Sequence, residues 1–202
     1  MELLVSSIVI TGEGFTPAVL SGKALASVLP TEPVQELVTP VLTVLRYEPG
    51  YQVLVQEERV EVSRSRPPSG TDELMQDVAR ALLQLWPLVE PKAVGINFVL
   101  GQVYSQQLSK DRVFKRLMRK ERVDLVFGAS VSDSEHSFKF EEDSATVTAK
   151  MVTGAQIAGR EALLLSINAH YEPVEELASV LESQTRWHDR AVRWSERLMH
   201  GK

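Results

Sequence analysis

Lys92 to Tyr104 reads KAVGINFVLGQVY. Nearly every residue in it is apolar, which marks a strand of the central type. Asn97 is the exception. A buried Asn must satisfy its amide, so it either ties down a loop or faces a pocket, and the structural role is the preferred one. The strand also separates two halves, 1–91 and 92–202, of what reads as a single domain spanning 1–202.

Towards the N-terminus, Thr71 is placed to cap a helix whose apolar positions Leu74, Val78, Ala81, Leu82 and Leu85 follow the 3.6-residue period. Pro87 and Pro91 stop it. Arg64 to Gly70 (RSRPPSG) is a surface loop. Val41 to Tyr47 and Tyr51 to Arg64 form an antiparallel pair about the turn Glu48-Pro49-Gly50, with Glu57-Glu58 a second turn or a bulge. Pro30, Pro33 and Pro40 mark a loop with at most a short helical turn. Pro17 to Leu29 reads as a weak helix, and Leu3 to Thr11 as a buried strand. Gly12 and Gly14 follow that strand, but the rest of a phosphate-loop fingerprint is absent, so they read as a plain turn.

Towards the C-terminus lies Ser109 to Arg122, SKDRVFKRLMRKER. It holds Lys110, Arg112, Lys115, Arg116, Arg119, Lys120 and Arg122 against only Asp111 and Glu121, in a chain that carries 22 basic and 27 acidic residues. At helical spacing Val113, Phe114, Leu117 and Met118 make one apolar stripe, and Ser109 is a good N-cap. The ordinary reading is a solvated surface helix. The functional reading is a docking face for phosphates or an acidic partner, which Arg64 and Arg66 could extend. Val123 to Val131 reads as a strand. Ser137–Phe140 and Ala145–Val152 form a hairpin with Glu141, Glu142 and Asp143 at its tip, where solvation is the ordinary reason for carboxylates. Gly154 to Arg160 reads as a loop, Ala162 to His170 as the last strand, and Val174 to Met199 as a long helix. On that helix Leu177, Leu181, His188 and Ala191 form one stripe, with Val180, Trp187 and Trp194 beside it. Trp187 and Trp194 are either core or a partner interface.

The chain has 202 residues, a net charge of −5 and no cysteine, which removes disulfides, thiolate metal sites and thiol nucleophiles. The apolar start lacks a basic n-region and reads as a strand, not a signal peptide. No apolar run approaches the roughly 20 residues of a membrane-spanning helix. A soluble, cytoplasmic protein is expected. His136, His170, His188 and His200 lie on different elements without ligand spacing, so no metal and no cofactor is expected.

Gly95-Ile96-Asn97-Phe98 and Leu181 to His188 resemble a sporadically distributed family of uncharacterised bacterial and phage-associated proteins. That family has a small-residue, Asn and aromatic pattern in a mid-chain strand and a Leu-spacer-His pattern in a C-terminal helix. Its Arg-Tyr pair before the Asn is missing here. The resemblance implies an α+β domain without known catalytic residues.

The fold expected is therefore α+β: a curved, mostly antiparallel sheet with helices on one face, a long C-terminal helix, and a repeat of element order between the halves. The function expected is a non-enzymatic interaction module, an adaptor, immunity or antitoxin-like partner docking another protein through the basic helix, the C-terminal helix, or both. The alternative is a nucleic-acid binder using 109–122 for phosphate contacts. No membrane partner is expected, and a homo-oligomer is left open.

Overall fold

The computed structural model describes residues 1–29, 31–67, 73–105, 109–117 and 133–200, without the side chains of Phe114, Arg116, Leu117 and His200. Nine strands form one antiparallel sheet: β1 (Glu2–Thr11), β2 (Gln35–Val38), β3 (Thr43–Tyr47), β4 (Tyr51–Gln56), β5 (Arg59–Ser65), β6 (Ala93–Val103), β7 (Glu135–Glu142), β8 (Ala145–Ile157) and β9 (Arg160–Tyr171). Their order is β2-β3-β4-β5-β1-β6-β9-β8-β7, and the sheet is not closed. The described helices are α1 (Glu73–Gln84), α2 (Lys110–Leu117) and α3 (Leu177–His200).

The register explains why this sequence makes this sheet. One row of paired residues runs Leu45, Val53, Val62, Ile8, Ile96, Ala169, Val147 from β3 to β8. All seven are at most 1% exposed. The row one residue away runs Arg46, Gln52, Ser63, Ser7, Asn97, Asn168, Thr148, and it is wholly polar. Side chains alternate between faces along a strand, so this pairing puts the apolar rows on one face together. A slip by one residue in any strand would exchange the two.

α1 packs on β1 and β5, and α3 on β6 and β9. Met75, Val78, Ala79 and Leu82 give α1 a buried stripe at i, i+3, i+4 and i+7. The stripe is turned by about one residue from the expected set, so Leu74, Ala81 and Leu85 are only partly buried. Polar groups bind the two helices to the sheet. Gln76 donates to Gln184 at 3.1 Å, and Gln184 donates to Ser6 at 3.4 Å. Trp187, fully buried, donates its indole N–H to Tyr171 at 2.6 Å, and Tyr171 shares a 3.0 Å hydrogen bond with Ser183. Gln76, Gln184, Trp187, Tyr171 and Ser183 thus each have a partner, which avoids the cost of leaving them unsatisfied.

Several expectations are corrected. Pro17 to Leu29 is not a helix but two short 3-10 turns, Pro17–Val19 and Gly22–Leu25. Thr16 makes no side-chain cap, and the Pro33 ring lies where a side chain on residue 22 would stand. The proline-marked stretch contains β2, a short edge strand. Glu57-Glu58, by contrast, is a turn between β4 and β5, one of its two expected readings. Gly154 to Arg160 is not a loop: β8 continues through a bulge between Val152 and Ala155 and turns at Ala158-Gly159, both at positive φ. Gly154 is needed there because Asp133 occupies the space of a side chain. Thr71 and the strand expected at Val123 to Val131 lie outside the described residues.

Trp187→Ala removes a fully buried aromatic and the indole N–H donated to the Tyr171 hydroxyl, which keeps its bond to Ser183. It should cost about 3–5 kcal/mol in urea denaturation. A loss below about 1 kcal/mol would contradict this packing.

Candidate apolar groove between α3 and the β7–β8 hairpin

α2 begins as its sequence dictates. The Ser109 hydroxyl accepts from the Arg112 backbone N–H at 3.3 Å. Its stripe residue Val113 is buried and packs in a cluster with Met151 of β8 and Leu163 of β9, joined by Leu198 and Met199 of α3. The basic helix and the end of the long helix are therefore neighbours, a juxtaposition the sequence did not reveal.

Beside this cluster lies a groove of about 570 Å³. Ala149, Met151 and Leu165 form its floor, Phe138 and Phe140 one wall, and Trp194 and Leu198 of α3 the other. Phe140 meets Trp194 edge-on at 5.8 Å. Phe138 and Phe140 are 56% and 37% exposed, and they are the exposed aromatics among the described large hydrophobics. The opposite sheet edge exposes Val34, Leu37, Val38 and Val41, all aliphatic.

Two ionisable groups, Glu142 and Arg197, reach the groove. Glu142 is engaged: Arg190 bonds it at 3.2 Å and Asp143 at 2.6 Å, with the guanidinium 4.8 Å from the Trp187 ring centre. The hairpin-tip carboxylates are thus clamped to α3, not merely solvated as expected. Arg197 is exposed and has no ion pair among the described residues. The groove offers an apolar seat with one cation at its rim. Among the described residues that line it there is no Ser, Thr, Tyr, His or Lys.

The expected docking residues are placed unevenly. Lys110 is held by Asp133 at 2.6 Å and Glu161 at 3.1 Å, with its side chain 20% exposed. The hydrogen bond to Asp133 raises its pKa. It ties α2 to the sheet and is not a free phosphate contact. Arg112 and Lys115 are exposed. Arg116 lies in α2, but its side chain is not described, and Arg119, Lys120 and Arg122 lie outside the described residues with Met118 and Phe127. Arg64 is not beside the described part of the island. It lies over the Tyr51 ring at 4.5 Å on β5, four strands from β8, or roughly 19 Å at sheet spacing. Trp187 is core, whereas Trp194 is half-buried and lines the groove. His188 packs against Phe98. Among the described residues no group of three His, Asp or Glu could hold a metal ion, and no helix is long and apolar enough to cross a membrane.

Phe138 and Phe140 were missed as site residues. Their signal was present in HSFKFEE: two aromatics on one face of an otherwise polar strand.

Tyr104 reports on the seam between α2 and the sheet. Its hydroxyl donates to the Thr153 carbonyl at 2.7 Å, and burial pushes its pKa up to about 12. The neutral form is favoured in the fold, so its contribution to stability is intact below pH 10 and lost as pH rises towards 12. Ultraviolet titration of the wild type against Tyr104→Phe should show the missing ionisation near pH 12. A midpoint near the ordinary value of about 10 would contradict the packing of this seam. No protein-family model and no curated protein matches the chain.

Proposed function

We propose that the protein is a non-enzymatic interaction module that docks another protein through the seam of α2, the end of α3 and the β7–β8 hairpin. The carrying observation is the aromatic groove, about 570 Å³ in volume, with Arg197 at its rim in no ion pair among the described residues. Exposed apolar patches bounded by charge mark interaction surfaces. Trp and Arg are the side chains that most often dominate binding energy. The occupant that fits is a protein segment with an apolar anchor beside a carboxylate. An adaptor, an immunity protein or an antitoxin-like partner would use such a surface.

The same reading assigns the helices to one face of the sheet, sets the protein in the cytoplasm, and treats the two halves as variations on one plan. β1 and β6 each precede a meander whose last strand returns to pair with them. Kinship with the sporadic bacterial and phage-associated family belongs to the proposal too, carried by Gly95–Phe98 and Leu181–His188. Nucleic-acid binding is the weaker alternative, because Lys110 is already neutralised by Asp133 and Glu161.

Selection from a random displayed peptide library tests this directly. Enriched peptides should carry an aromatic or large aliphatic residue next to Asp or Glu. Trp194→Ala and Phe138→Glu should each weaken them at least tenfold, about 1.4 kcal/mol, and Arg197→Glu should shift selection towards Lys and Arg. Enrichment of basic peptides by the wild type, or affinities unchanged in all three variants, would refute the proposal. So would salt-sensitive binding of single-stranded DNA with no peptide enriched.

A further inference from the structure

The sheet face opposite Ser6 and Ile8 carries a polar row across every strand: Gln35, Arg46, Gln52, Ser63, Ser7, Asn97, Asn168, Thr148 and Lys139. Arg46 donates to Gln35 and to Gln52, each at 3.0 Å. Asn97 donates to Ser7 at 3.2 Å, and Asn168 donates to Asn97 at 2.5 Å. Solvation alone does not require the residues to be bonded to one another. The row is an organised surface.

Beside its middle the sheet is hollow. The adjacent row places Glu61, Val9, Gly95 and His170 together, and the next places Arg59, Thr11 and Ala93. Gly95 has no side chain and Ala93 only a methyl, so a groove of about 370 Å³ opens over them. That volume lies within the range of small-molecule sites. A side chain on residue 95 would meet the Asn168 amide, with the Cβ at 3.2 Å.

The chemistry of the hollow selects its ligand. Its floor, Val9, Ala93 and Gly95, is aliphatic or bare backbone. The two formal charges that line it, Arg59 and Glu61, are bonded to each other at 2.5 Å, and His170 shares a hydrogen bond with Glu172 at 3.1 Å. An anion or cation therefore gains little there. Asn168 gives only one of its two amide hydrogens to Asn97 and keeps its carbonyl oxygen, so a donor and an acceptor lie side by side. Groups that both donate and accept, next to one another, are what vicinal hydroxyls match. No Phe, Tyr or Trp lines the hollow, and its one aromatic ring, the His170 imidazole, is bonded to Glu172.

We infer that this hollow is a binding site for a neutral polyhydroxylated ring, a sugar, held by Asn168, Asn97, Glu61 and Arg59 over the Gly95 floor. It lies on the opposite face from the groove and is independent of the interaction reading.

Saturation-transfer NMR of the full chain with glucose, galactose, mannose, ribose and adenosine tests it. At least one free sugar should receive saturation through its ring protons. Adenosine separates a ribose carried by a nucleoside from a free sugar, and saturation of its ribose alone also supports the site. Asn168→Leu and Gly95→Val should weaken the positive ligand at least tenfold. The milder Arg59→Ala, at an exposed rim, and Gly95→Ala, which adds only a methyl against the Asn168 amide, should weaken it at least threefold should the first pair fail to fold. No transfer to any of the five compounds at millimolar concentration would overturn the inference. So would affinities within twofold of wild type in the folded variants, or saturation confined to the adenine protons.

Discussion

β1 and β6 lie side by side at the middle of the sheet, with Ile8 opposite Ile96 and Ser7 opposite Asn97. Ser6 and Ser7 are consecutive residues on opposite faces, and they carry the two sides of the molecule. Ser6 accepts from Gln184 and lies against Met75, joining both large helices to the sheet. Ser7 accepts from Asn97 and begins the bonded row that continues to Asn168. Register here fixes everything outward. β5 pairs with β1 on one side, β9 pairs with β6 on the other, and each adds its own meander.

α3 converts that register into a surface. Its first part is core: Leu181, Trp187 and Ala191 are fully buried, and the Trp187–Tyr171–Ser183 hydrogen bonds secure it to β9. Its last part is different. Trp194, Leu198 and Arg197 run alongside the β7–β8 hairpin without closing onto it, and the Arg190 clamp on Glu142 and Asp143 holds the hairpin beside the helix. The groove follows from a helix held and clamped as far as Arg190 and Ala191, beyond which Trp194, Arg197 and Leu198 line open space beside the hairpin. Arg190 is only partly exposed, its side chain at 19%, so this clamp is less screened than an ordinary surface pair.

The strands were legible where apolar residues alternated or ran on, as in β1, β4 and β6, because burial on one face leaves a period of two in the sequence. α1 and α3 were legible for the matching reason at a period of 3.6. The misreadings share a different cause. β2 has no buried residue, so it leaves no apolar signature; its existence depends on hydrogen bonds to β3. The end of β8 was hidden because Gly154 marks a bulge beside Asp133, and a bulge and a turn use the same residue. Asn97 was noticed, but its partners Ser7 and Asn168 are 90 and 71 residues away, and no local pattern announces them. The groove was half legible. Trp194 stood out by its spacing, whereas its meeting with Phe140 and the neighbouring Val113 is a product of sheet order.

The proposed docking surface is the seam between α3, α2 and the β7–β8 hairpin. Methyl-labelled NMR with a peptide enriched by the protein tests it most directly. Shifts should concentrate at Met151, Leu165 and Leu198, whose methyl groups line the groove, while Val9 and Val99 of the opposite face stay still. Shifts centred on Val9 and Val99, or spread evenly over the molecule, would contradict it.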